Sequence, residues 1–120
     1  MIDYQMGEIE KRFADIIWNN EPISSTELAK LSEEALSWKK STTYTVLKRL
    51  CDKGIFKNEQ GSVGSLISRD EFYSAQSERF VETTFKGSLP AFLAAFSKRK
   101  KLSKQDVDEL KRLIEEYGEK

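Results

Sequence analysis

The chain has no histidine and one cysteine, Cys51. Without imidazole, the usual activation of a nucleophile and the common zinc ligand sets are closed to it. A lone cysteine cannot close an internal disulfide, which suits a reducing cytosol. No apolar run approaches the roughly 20 residues that span a bilayer, so membrane insertion is not expected. The opening MIDYQMGEIEKRF is acidic and amphipathic, without the basic-then-apolar order of a secretory signal, and a cytoplasmic location is expected. An excess of either charge is missing as well: 20 Lys and Arg stand against 20 Asp and Glu, so global charge names no partner. The acidic residues fall on the polar faces of amphipathic segments, with no activating base beside them. No enzymatic activity, cofactor or metal site is therefore expected.

What the chain does have is helical spacing. Met6, Ile9, Phe13, Ile16 and Ile17 form one stripe, ended by Asn19-Asn20 and Pro22. Ser24 to Glu27 reads as a capping box with Ile23 placed to staple against Leu28, and the helix it opens packs through Leu28, Leu31 and Ala35. In the next helix Thr43, Leu47, Leu50 and Cys51 share a face, and Gly54 sits where a left-handed C-cap belongs. IFKNEQGSVGSLI then shows partial period-two alternation around Gly61 and Ser62, a small β-hairpin. Ser68 to Glu71 caps a fourth helix carrying Phe72, Tyr73, Phe80, Val81 and Phe85, with Gly87 and Pro90 as breakers. FLAAF continues helically to SKRKK, and Ser103 with Asp106 caps a last helix bearing Val107, Leu110, Leu113 and Ile114.

Three helices followed by a hairpin is the order of a winged helix-turn-helix, whose third helix enters the major groove. The fold class expected is mainly α with a small β-hairpin: a winged helix-turn-helix over residues 1–74 and a helical dimerisation region over 75–120. A winged helix that binds protein and no nucleic acid has the same element order.

The third helix carries the most specific signal. Ser41, Thr42, Thr45, Lys48 and Arg49 cluster opposite Leu47 and Leu50, with Lys39 and Lys40 at the N-terminal end. Over residues 37–60, six cations stand against two carboxylates. That is a modest footprint for a phosphate backbone. Hydroxyls near a helix start reach phosphates or base edges, and a threonine methyl packs on a thymine methyl. A solvated polar face accounts for the same residues.

The residue order WKKSTTYTVLKRLCDKG, 38–54, resembles the recognition helix of the penicillinase-repressor family of winged-helix transcriptional regulators. There a tryptophan precedes a threonine-rich helix that ends in arginine, leucine and Lys-Gly. GEIEKRFADIIWNNEPISSTELAKLS is similar to the family's first two helices, and GSLPAFLAAFSKRKKLSKQDVDELKRLI to its C-terminal dimerisation segment. The resemblance implies a homodimeric repressor bound to double-stranded operator DNA. Its groove-facing threonines correspond to Thr42 and Thr45, and its late arginine to Arg49. Lys39, Lys40 and Ser41 replace the family's Ser-Pro-Lys, and Tyr44 replaces its Arg or Gln. GSVGSLIS departs from its basic-aromatic wing, which leaves Lys57 and Asn58 as the wing's phosphate candidates.

The large apolar groups Phe80, Val81, Phe85, Leu89, Phe92, Leu93 and Phe96 are too many for one short segment to hide alone. The resemblance assigns them, with Leu110, Leu113 and Ile114, to the dimer interface; packing on the chain's own last helix is the alternative. Antibiotic-responsive members are released from DNA when a membrane-bound zinc-protease sensor triggers cleavage at an Asn-Phe bond. The aligned bond is Ala95-Phe96, and the missing asparagine leaves that route unsupported. The paired C-terminal cysteines of copper-responsive members are absent, and Cys51, beside the buried face, is expected to be an inert core thiol.

Overall fold

The computed structural model of the chain describes residues 2–119 and divides it into two compact units, the first running to Ser77 and the second from Glu78. The first unit holds α1 (Glu8–Asn20), β1 (Ile23–Ser24), α2 (Ser25–Leu36), α3 (Lys40–Asp52), β2 (Phe56–Glu59) and β3 (Ser62–Ser65). It closes with the start of α4 (Arg69–Phe85), inside which the division falls. This is a winged helix, mainly α with a small antiparallel sheet, as the sequence pattern predicts.

Its core gathers one stripe from each helix and the inner face of the sheet. Phe13, Ala14 and Ile17 of α1 meet Leu28 of α2, Val46, Leu47 and Leu50 of α3, and Ile55, Phe56, Val63 and Phe72. Aromatic rings tie the parts together. Trp18 packs at a tilt against Phe56 at 5.2 Å and Phe72 at 5.6 Å, and its indole N–H donates to the Ile67 carbonyl at 3.1 Å. Such tilted ring contacts, with the indole donor satisfied, fix relative helix position as well as burying area.

The sheet has three strands in the order β1-β3-β2, one more than the expected hairpin. Ile23 pairs with Val63 and Ser24 with Ser62, so Ile23 is a buried strand residue. Two residues carry no readable alternation, which is why the sequence pattern misses β1. The hairpin turn lies one residue earlier than expected, at Gln60 and Gly61, with φ values of 52° and 87°. Positive φ at both central residues matches the strand twist of a tight hairpin, and glycine takes it without steric cost.

Three expected packing positions move. Ile9 is exposed, because α1 turns Phe13, Ala14 and Ile17 inward instead. Ala35 is exposed in the last turn of α2, where its carbonyl accepts from Arg12 Nη2 at 3.2 Å. Met6 packs against the core from the extended segment before α1.

The second unit contains the rest of α4, then α5 (Leu89–Arg99) and α6 (Lys104–Tyr117). Pro90 lies in the first turn of α5, where its missing N–H costs nothing, and Ser88 and Ser103 cap α5 and α6. No described residue of this unit is buried.

Candidate nucleic-acid interface

The turn before α3 sets how that helix is presented. Ser24 Oγ accepts from the Glu27 N–H at 3.1 Å and starts α2, and Ser37 ends it in the left-handed conformation at φ 57°. Trp38 follows and lays its ring 5.1 Å from Phe13. The turn is thereby anchored to α1, and α3 starts one residue after Lys39, its N-cap. Threonines and a valine in α3 are modest helix formers. Tertiary packing holds the helix through buried Thr43, Val46, Leu47 and Leu50, and Gly54, at φ 84°, releases the chain toward the sheet.

That packing turns Ser41, Thr42 and Thr45 to solvent, on the face opposite the buried stripe. Thr45 Oγ1 donates to the Ser41 carbonyl at 2.9 Å, which leaves its methyl group and a lone pair outward. Tyr44 is half-buried, and the Lys40 ammonium stands 5.8 Å from its ring centroid. Lys39 is exposed, and neither it nor Lys40 has a carboxylate partner among the described residues. The other candidate cations do. Lys48 pairs with Asp52 at 3.4 Å, Arg49 with Glu10 at 3.5 Å and Lys57 with Glu59 at 3.3 Å. Uncompensated positive charge is therefore concentrated at the start of α3, while its end carries cations already balanced within the chain.

Beside this face is an open cavity of about 520 Å³ lined by Ser25, Tyr44, Leu47, Lys48, Cys51 and Asn58. It brings the start of α2, the flank of α3 and the outer residues of β2 to one place. Ser25 escapes the sequence reading because it looks like a spare member of the cap beside Ser24. Cys51 is half-buried on the cavity wall instead of sealed in the core. Burial pushes its thiol above the ordinary range, Asp52 adds to the rise and Lys48 opposes it. Among the described residues no group of three or more Cys, Asp or Glu side chains is arranged to hold a metal ion.

In the second unit the phenylalanines form a ring cluster. Phe80 meets Phe85 at 5.9 Å and Phe92 at 6.0 Å; Phe92 meets Phe85 at 5.6 Å and Phe96 at 6.3 Å. Phe92, Leu93 and Phe96 of α5 share an open groove of about 300 Å³ with Leu102 and with Leu110 and Leu113 of α6. The rings touch one another and remain open to solvent: Phe80 is 49 % exposed and Phe96 45 %, with Leu89 and Ile114 exposed as well. Val81, Phe85 and Leu93 are half-exposed. Ala95, half-buried, and Phe96 lie within α5, so the bond between them is helical.

The family model of penicillinase repressors matches residues 6–116. The chain is 25% identical over 117 residues to the penicillinase repressor of Bacillus licheniformis, covering 94% of this chain and 91% of that protein. It is 21% identical over 115 residues to the methicillin resistance regulatory protein MecI of Staphylococcus aureus, covering 92% and 94%. The same figures hold for MecI of Staphylococcus epidermidis.

Proposed function

The chain belongs to the penicillinase repressor family, and from that premise we propose that it is a sequence-specific DNA-binding transcriptional repressor acting as a homodimer on a promoter operator. One observation carries the reading: α3 buries Thr43, Val46, Leu47 and Leu50 while turning Ser41, Thr42 and Thr45 outward, with Lys39 and Lys40 uncompensated at its N-terminal end. A helix presented this way enters the major groove N-terminus first. Lys39 and Lys40 then meet phosphates, and Ser41, Thr42, Tyr44 and Thr45 face base edges, where hydroxyls and methyl groups discriminate. Lys48 and Lys57 reach the flanking backbone by exchanging a carboxylate for a phosphate, and Arg49 reaches base edges with the donors its carboxylate leaves spare.

The winged domain over residues 1–74 makes the contact, and the region over 75–120 joins two copies. The half-exposed ring cluster of Phe80, Phe85, Phe92 and Phe96, with Val81, Leu89, Leu93, Leu110, Leu113 and Ile114 around it, supports that assignment: apolar surface left open in one copy is covered by a second. Tethering places the second half-site contact at high effective concentration. Occupying the operator excludes polymerase, so the protein needs no catalytic activity. It acts in the cytoplasm, and no helix among the described residues is long and apolar enough to cross a membrane. Release by a membrane-bound protease sensor finds no support at Ala95-Phe96, which lacks the asparagine and is held inside α5.

Thr45→Ala tests the reading. Thr45 is exposed and its one hydrogen bond is to its own helix, so the fold is retained. Operator affinity is expected to fall by about 1 to 3 kcal/mol, with random-sequence DNA bound as before. Undiminished operator binding by both Thr45→Ala and Thr42→Ala would refute the assignment of this face.

A further inference from the structure

We propose that Glu10, outside the recognition helix, is a positioning residue for it, holding Arg49 in one orientation at the last turn of α3; this rests on the DNA-binding reading above. Glu10 sits in the first turn of α1, its side chain only 15% exposed. It is anchored on several sides. Oε1 accepts from the Gly7 backbone N–H at 3.1 Å and lies 3.8 Å from Lys53 Nζ. Lys53 is itself fixed: its ammonium donates to the Gln5 carbonyl, and its own carbonyl accepts from the Asp3 N–H at 3.0 Å. Against this fixed carboxylate, Oε2 accepts from Arg49 Nη1 at 3.5 Å, while the arginine side chain stays 54% exposed.

Neither helix capping nor charge balance needs that arrangement. The reciprocal cap at a helix start works with glutamine as well as glutamate, so the Gly7 contact does not call for a charge. Lys53, 18% exposed and 3.8 Å from Oε1, already balances the carboxylate. A second cation, half in water, adds little to stability, as surface pairs generally do. What the contact does is restrict Arg49. A guanidinium has five N–H donors in a rigid plane; one used on Glu10 fixes that plane and leaves the others to face DNA. Part of the rotamer freedom that a lone arginine would lose on binding is already given up, which favours one contact geometry. A fixed fork favours the sequence whose acceptors match it, while a loose one accepts any phosphate.

The test uses the full chain with a duplex from its own promoter region that the wild-type protein protects, beside a random duplex of equal length. Glu10→Gln keeps the acceptor for Gly7 and removes the charge. Operator affinity is expected to fall roughly fivefold or more, the scale of one positioned contact, with random DNA bound no more weakly because a negative charge has gone. In an Arg49→Ala background the same change is expected to do nothing, since the cycle isolates the pair. Arg49→Lys, at an exposed site that tolerates it, keeps the charge without the fork. It is expected to lose operator affinity and keep random binding, and it decides the matter alone if Glu10→Gln does not fold. Equal weakening on both duplexes would reveal a merely structural contact and overturn the proposal, as would full operator affinity in Glu10→Gln and Arg49→Lys. A wild-type chain that binds neither duplex would overturn the DNA reading and this proposal with it; wild-type operator binding kept in both variants overturns only the role of Glu10.

Discussion

Phe96→Ala gives the sharpest test of how two copies join. Phe96 lies on α5 with 45% of its surface open, touching Phe92 and lining the groove toward α6. Full burial of such a side chain is worth about 1.5 to 3 kcal/mol, so covering the open part in a dimer contributes about 1 kcal/mol per copy. Twofold symmetry uses each residue twice, and the loss per dimer is about 2 kcal/mol. At about 1.4 kcal/mol per factor of ten, the dimer dissociation constant is expected to rise about 30-fold. Phe80, with a similar open fraction in the same ring cluster, should behave alike. Sedimentation velocity over a concentration series reads the shift directly. Phe96 is outside the core of the first unit, so that unit's cooperative melting is the internal control. An unchanged dissociation constant in Phe80→Ala and Phe96→Ala together, with melting intact, would refute the assignment of this cluster to the dimer interface.

Phe72→Ala is expected to destabilise the first unit by about 3 to 5 kcal/mol in chemical denaturation, because Phe72 is fully buried between Tyr4, Trp18 and Tyr73. Thr43→Val is expected to do the opposite. The Thr43 hydroxyl is buried without a hydrogen-bond partner, and an isosteric methyl removes a cost of about 1 to 3 kcal/mol for an unmet polar group. A fall in midpoint would show that the hydroxyl is satisfied. Cys51 is expected to alkylate more slowly in the folded chain than in the unfolded one near pH 8. Its raised pKa leaves less thiolate at that pH, and the gap should close only as the pH rises past the folded value. Equal rates by mass spectrometry would contradict the half-buried placement.

Much of the fold is legible in the residues, because its signals are local. Ser24, Ser68 and Ser103 each accept from the N–H three residues on, as their spacing from Glu27, Glu71 and Asp106 suggests. Gly54 takes the positive φ expected of a helix stop. What escapes is non-local. The strand β1 has two residues and exists only because Ile23 meets Val63 across the sheet. Ala14 is buried in place of Ile9, since one alanine carries little weight in a hydrophobic stripe and the neighbouring helices decide which face turns in. On the recognition face the threonines are readable from their position opposite Leu47 and Leu50. The state of the cations is not: nothing within α3 announces that Arg49 meets Glu10, 39 residues away.

Whether α3 reads DNA is decided by one titration. Full-length protein is titrated with a duplex from its own promoter region and with a random duplex, between about 50 and 200 mM salt, where a phosphate-binding protein must lose affinity. DNA reading by α3 predicts a linear fall of log affinity with log salt on both duplexes, each neutralised phosphate adding about 0.9 to the slope. It also predicts tighter binding to the promoter duplex by a factor on the order of 1,000 or more. A flat salt response, or equal affinity for the two duplexes, would contradict it and leave the outward face of α3 to a protein partner.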